Sequence, residues 1–256
     1  MNKPLILLTN DDGVYAPGLK AICDVMRNIG RIVVVAPERD NSAASHSLTM
    51  HRPLRVRKID EDVYMIDGTP TDCVTIGIGM VLDEKPALVV SGINPGGNLG
   101  DDISYSGTVS AAVEGTMLGV PSFAVSLAGE APFDFSAAAE FSGQLAGKIL
   151  DKGLFRETLL NVNVPNISKE LIKGVRYTRQ GRRIYEGAIK ETSDPWGRKH
   201  YWIGGGTPLW DGREDTDASA VLKQYVSITP IHLDLTNYDA LSRLRQDWPV
   251  DIDWTR

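Results

Sequence analysis

The sequence predicts an α/β domain built on a mostly parallel sheet, and three observations carry that expectation. Short continuous apolar runs, LILLT, IVVVA, ALVVSG and SFAVSLA, recur as they must in central strands covered on both faces. The stretches between them have helical periodicity. The chain has 256 residues, 42% of them hydrophobic, enough to bury one large core.

In chain order, LILLT (5–9) reads as the first strand. PGLKAICDVMRNIG then places Leu19, Ile22, Cys23 and Met26 on one helical stripe, with Gly30 suited to the stop. IVVVA (32–36) completes a βαβ unit. LRVRKID and DVYMID (54–67) read as a hairpin, and TDCVTIGIGMVL as a further helix. ALVVSG (87–92), the small-residue helix SGTVSAAVEGTMLGV and SFAVSLA (122–128) form a second βαβ unit. FSAAAEFSGQLAGKIL then reads as a helix leading to a buried strand, LLNVNV. The parallel pattern predicts an α/β core over about 1–165 of a single domain spanning 1–256. From about 166 to 256 the pattern changes: aromatic, β-branched and charged residues alternate around Gly and Pro, as in long antiparallel hairpins. VSITPIHLDLTN is strand-like again, and YDALSRL is a short amphipathic helix.

Composition excludes some functions. With 27 basic and 33 acidic residues the formal charge is −6, so the chain has no global field for an extended nucleic acid or an anionic membrane. Cys23 and Cys73 match no metal-ligand or redox spacing and read as small buried hydrophobes in a reducing compartment. The apolar stretch near the start is too short for a signal peptide, and no segment approaches the ~18 apolar residues of a membrane span. A soluble, cytoplasmic protein is expected.

In a doubly wound sheet, ligands bind beyond the carboxyl ends of the strands. There the chain places Asn10, Asp11, Asp12 and Gly13 after the first run, Pro37 and Ser42 after the second, and Ser91, Gly92, Ile93 and Asn94 after the third. These are oxygen donors without Cys or His, a set that suits Mg²⁺, Mn²⁺ or Ca²⁺ rather than Zn²⁺. Adjacent carboxylates repel when empty and are neutralised by a shared cation. Singly, Asp11 and Asp12 are equally explained as turn formers or caps, and Ser42 and Asn94 are better explained so. Their convergence on one edge favours the ligand reading.

INPGGNLGDDISYSGTVSAAVEG (93–115) is the second informative stretch. Its glycines admit a ligand close to the backbone, and Ser106, Gly107 and Thr108 open a helix whose free N–H groups attract an anion. A glycine-rich turn capped by Ser106 is the structural alternative. His46 and His51 follow the second strand, as surface or structural residues or as an acid for a leaving group.

TNDDGVYAPG, VVAPERDNSAASHSLT and SGINPGGNLGDDISYSGTVSAAVEG together resemble the survival protein SurE family of metal-dependent nucleotidases, and GREDTDASAVLKQYVSITPI resembles that family's C-terminal part. The resemblance implies a Rossmann-like three-layer α/β domain, a projecting antiparallel hairpin region and C-terminal elements swapped in a homodimer or homotetramer. It implies hydrolysis of nucleoside monophosphates, at the 5′ position with the 3′ position left open, with one divalent cation per subunit, Mg²⁺ or Mn²⁺. Asp11, Asp12, Ser42 and Asn94 would hold the cation, Asp11 and Asp12 would be catalytic, and Asn98, Ser106, Gly107 and Thr108 would seat the phosphate. Where the family commonly reads Ser-Gly, this chain reads Ser42-Ala43. Another metal-dependent phosphoester hydrolase, or a module that binds nucleotide without turnover, would use the same residues. The segment from about Gly174 to Pro208, with Tyr177, Arg179, Arg182, Arg183, Tyr185, Trp196, Tyr201 and Trp202, supplies aromatic and arginine anchors for self-association.

Overall fold

The computed structural model describes residues 3–184, 189–203 and 209–247. The first βαβ unit is β1 (Leu5–Thr9), α1 (Pro17–Met26) and β2 (Arg31–Pro37). Proline at the first turn pre-sets the φ that α1 needs, and Leu19, Ile22, Cys23 and Met26 are the stripe it buries. The hairpin β3 (Val56–Asp60) and β4 (Val63–Ile66) follows, then α2 (Pro70–Ile76). A reciprocal cap starts α2: the Asp72 N–H donates to the Thr69 hydroxyl while the Asp72 carboxylate accepts from the Thr69 N–H. The helix read through residue 82 is α-helical only to Ile76; Gly77–Val81 widens into a π-helical turn.

β5 (Leu88–Pro95), α3 (Gly107–Met117) and β6 (Ser122–Ala128) make the second unit, and α4 (Ser136–Lys152) leads to β7 (Thr158–Pro165). Beyond it lie β8 (Val175–Tyr177), β9 (Arg183–Ile184), β10 (Ile189–Ser193), β11 (Lys199–Ile203), β12 (Leu209–Trp210), α5 (Asp217–Leu222), β13 (Val226–His232) and α6 (Tyr238–Asp247).

The main sheet runs β3-β4-β2-β1-β5-β6-β7-β13-β8. β4 to β7 in that order are mutually parallel; β3 and β13 are antiparallel to their neighbours β4 and β7. Successive side chains of β1 point to opposite faces. Ile6 and Leu8 join Leu19, Ile22 and Met26 of α1 and Ala138, Ala146 and Ile149 of α4. Leu5 and Leu7 join Cys73 and Val74 of α2 and Ala111 of α3. That alternation makes the three layers. Cys23 and Cys73 are both free and buried.

The sheet continues past residue 165. Val226 and Ile228 of β13 enter the larger core, while Ser227 and Thr229 are buried through hydrogen bonds with the Thr178 hydroxyl, at 2.8 and 2.7 Å. β8 pairs with β13 in parallel. Antiparallel pairing of the expected kind appears in β10–β11 and in β9–β12. Thus residues 175–184 belong to the body of the fold, and the arm that leaves it is shorter than the stretch 174–208.

Candidate active site at the reversal of strand order

Winding reverses between β1 and β5: β2 and β4 lie on one side of β1, and β5, β6 and β7 on the other. A crevice opens beyond the strand ends at such a point. β1 delivers Asn10 fully buried, and its Nδ2 donates to the Gly13 carbonyl at 2.9 Å, closing a turn that Gly13 permits with φ +104°. Asn10 is therefore the turn former, and Asp11 and Asp12 are left to the crevice.

Asp11 is 5% exposed; its Oδ1 accepts from the Thr108 hydroxyl at 2.5 Å, and its carbonyl accepts from the Asn41 N–H at 2.8 Å. Burial raises the Asp11 pKa, opposed in part by the Thr108 hydrogen bond. Asp12 is partly buried, and its Oδ2 is a buried oxygen with no hydrogen-bond partner among the described residues. Burial, then the charges of Asp11 and Asp40, push Asp12 up to about 7. An orphaned carboxylate oxygen beside a second carboxylate is costly unless a cation is there to meet it.

The other expected residues are placed as follows. Ser106 caps α3, accepting from the Val109 N–H at 3.1 Å. Gly107 abuts Asp11: a Cβ on it would stand 2.8 Å from the Asp11 Cβ. The N-terminus of α3 and the paired carboxylates thus share one place, with the Thr108 hydroxyl already engaged by Asp11. A bulge in β5 between Ser91 and Asn94 re-aims the strand end, and the Asn94 Nδ2 donates to the Gly96 carbonyl at 2.8 Å, leaving the side-chain oxygen for other use. Ser42 is exposed, and its hydroxyl donates to Asp40 Oδ1 at 2.6 Å. Asn98 is buried and tied into the scaffold: Nδ2 donates to the Ser126 hydroxyl at 2.7 Å, and its carbonyl accepts from Asn161 and Asn163 at 2.8 and 3.0 Å. Among the described residues, no three His, Cys, Asp or Glu side chains cluster as a metal site. Asp11 and Asp12 are the adjacent carboxylates at this edge of the sheet.

Ala43 has φ +58°, the left-handed region where a glycine is at ease and a Cβ costs about 1 kcal/mol. The loop bears that cost because both sides are anchored. The Ser45 N–H and hydroxyl donate to the carbonyls of Tyr105 and Ser104 at 3.1 and 2.8 Å. His46 Nε2 meets Glu114 of α3 at 2.9 Å, and the Thr75 hydroxyl donates to the other Glu114 oxygen at 2.8 Å. These bonds, His46 first, hold Glu114 below its usual range. His46 is a structural tie, and His51 is exposed. Asp40 and Glu114 were missed in the sequence. The first has the signature of a side-chain-to-backbone turn, Asp-x-Ser, and the second is a lone charge in a small-residue helix.

Fold and site together define a doubly wound α/β protein with two neighbouring carboxylates and the amino end of a helix at its switch point. The family model described as "Survival protein SurE" matches residues 6–187, and the chain belongs to that family. It is 54% identical over 246 residues to 5'-nucleotidase SurE of Geobacter sulfurreducens, covering 96% of this chain and 94% of that protein. The 5'-nucleotidase SurE of Geotalea daltonii is 50% identical over 246 residues, covering 96% and 99%. The crystal structure of the SurE protein from Aquifex aeolicus superposes with a TM-score of 0.87 at 48% identity, covering 95% of this chain and 99% of that one.

Proposed function

We propose that the chain is a metal-dependent phosphatase that hydrolyses nucleoside 5′-monophosphates to nucleoside and phosphate, with 3′-monophosphates as the second substrate to assay beside them. The observation that carries this reading is the buried, unpartnered Asp12 Oδ2 beside Asp11, itself packed on the N-terminus of α3. The donor set fits one hard divalent cation, Mg²⁺ or Mn²⁺, held by Asp11, Asp12, Ser42 and Asn94. When bound, such a cation supplies Lewis-acid polarisation of a phosphoryl oxygen and a more acidic water.

The residues do the rest. Ser106, Gly107 and Thr108 present the amino end of α3 to the phosphate, Thr108 through its backbone because Asp11 has its hydroxyl. Asn98 shapes the seat by fixing the preceding loop. One of the paired carboxylates, Asp11 or Asp12, would take the proton of the attacking water. Preorganisation of these groups keeps the developing charge in a polar, partly dry crevice. A panel of nucleoside monophosphates, sugar phosphates and simple esters, assayed for phosphate release with Mn²⁺ or Mg²⁺, tests the reading. Preferential release from nucleotides is expected; equal turnover of all esters would reduce the chain to a general phosphoesterase, and binding without release to a nucleotide-binding module.

We read the chain as one domain working as a homodimer or homotetramer, in the cytoplasm and without a nucleic-acid or membrane partner. Among the described residues no helix is long and apolar enough to cross a membrane. A two-stranded arm is marginal alone, and β10–β11 exposes Ile189, Trp196, Tyr201, Trp202 and Ile203. Tyr185 and Pro208 lie outside the described residues. Replacing 185–208 by a short Gly-Ser turn is expected to lower the mass seen in light scattering while leaving the sheet folded. Retention of the full oligomeric mass would remove the arm from the assembly interface.

A further inference from the structure

The root of the arm and the approach to the phosphate seat meet at one buried carboxylate that no step above uses. Asp217, the first residue of α5, is fully buried. Its Oδ2 accepts from the Gly100 N–H at 2.8 Å, and its Oδ1 accepts from the Gly181 N–H at 2.9 Å and the Ala218 N–H at 2.7 Å. Two segments distant in sequence therefore end on one side chain of α5. Around it the same two surfaces are sewn together again. Gln180 Nε2 donates to the Gly100 carbonyl at 3.1 Å, the Arg183 N–H donates to Asp101 Oδ2 at 2.9 Å, and the Arg183 guanidinium pairs with Asp102. Gly100 has φ +53°, and a Cβ there would stand 2.9 Å from the Trp210 ring and 3.0 Å from the Gly181 carbonyl oxygen. The contact is too close for any side chain.

Gly100 opens the 3₁₀ turn Gly100–Ser104, which runs directly into Tyr105, Ser106, Gly107 and Thr108. The turn transmits position by its own hydrogen bonds, Tyr105 N–H to the Asp102 carbonyl at 3.0 Å and Ser106 N–H to the Ile103 carbonyl at 3.3 Å. Its far end also receives the Ser42 loop, through Ser45 on the carbonyls of Ser104 and Tyr105. We propose that Asp217 is a positioning residue: by holding Gly100 against Gly181 it fixes the turn that sets the amino end of α3, so that arm root and phosphate seat are one mechanical unit. The role rests on residues 106–108 being the phosphate seat.

Asparagine is the discriminating replacement. A carboxylate accepts on both oxygens, whereas an amide accepts on one and sets an NH₂ against the remaining N–H donors, so at least one buried donor loses its partner. Amide hydrogen exchange of the full-length Asp217→Asn protein is expected to quicken over residues 100–108 while β1 and β6 stay protected. Turnover of a nucleoside monophosphate should fall on the order of 10- to 100-fold, as for a small misplacement of a binding group, with competitive inhibition by inorganic phosphate weakened more than Mn²⁺ affinity. Asp101→Ala, which removes the Arg183 N–H acceptor at a partly exposed site, is expected to show the same pattern more weakly. It serves as the deciding variant if Asp217→Asn does not fold. Wild-type exchange over 100–108 in the folded variants, or exchange raised uniformly across the sheet, would overturn the positioning role. A wild-type protein that releases no phosphate would overturn the functional reading, and the exchange pattern would still decide the role of Asp217.

Discussion

Asp12→Asn and Asp11→Asn are expected to cut phosphate release by on the order of 10³-fold, at least as much as removal of one preorganised oxyanion donor costs in other enzymes. Each change keeps the side-chain volume and removes one of the two charges that make the crevice a cation site. The two differ in a second way. Asp11 Oδ1 accepts from Thr108, so Asp11→Asn also risks setting an NH₂ against that hydroxyl and loosening the start of α3. Asp12 has no such side-chain partner on Oδ2, so its replacement acts chiefly through the charge. Steady-state kinetics at matched metal occupancy, with Mn²⁺ binding by calorimetry, checks both. Wild-type turnover in either variant would return that residue to the role of a turn former.

The same missing charge should make metal-free Asp12→Asn more stable than metal-free wild type. Asp12 is pushed from 3.8 to about 7 in the folded chain by burial and by Asp11 and Asp40. Between those values the folded state binds more protons than the unfolded state, so wild-type stability falls as pH rises through this window. The sign is opposite to that of the lowered carboxylates Asp67, Asp134 and Asp234, which lose their contribution only at lower pH. Discounted for the partial exposure of Asp12, the difference at neutral pH is on the order of 2 kcal/mol. Urea unfolding in EDTA at pH 4.5 and pH 7.5 should show the variant's advantage only at the higher pH. Equal stability at pH 7.5 would mean that the Asp12 carboxylate is relieved by something other than a metal.

Much of the sheet was legible because parallel strands buried on both faces leave an unbroken apolar run, as in Leu5–Leu8 and Val33–Val35. The acidic pair was legible because it follows such a run at once, and the Ser106 cap because it opens a small-residue helix. What was hidden depended on distant partners. Ser227 and Thr229 are polar residues of β13 whose burial depends on Thr178, a partner 49 and 51 residues earlier in the chain. Asn161 and Asn163 sit fully buried in β7 only because the Asn98 carbonyl accepts from both. Asp40 shows its weight only once the fold brings its charge to bear on Asp11 and Asp12. The Ser42-Ala43 departure was visible in sequence, and the left-handed backbone at Ala43 is what it costs. The Asp217 junction joins residues more than a hundred positions apart and had no local signal.

The most direct test of the account is phosphate release from a nucleoside 5′-monophosphate by protein stripped with EDTA, confirmed metal-free by elemental analysis, then titrated with Mn²⁺ or Mg²⁺. Release should be absent in the stripped protein and return with one equivalent of cation per subunit. Undiminished release from the metal-free protein would contradict the reading of Asp11, Asp12, Ser42 and Asn94 as a cation site.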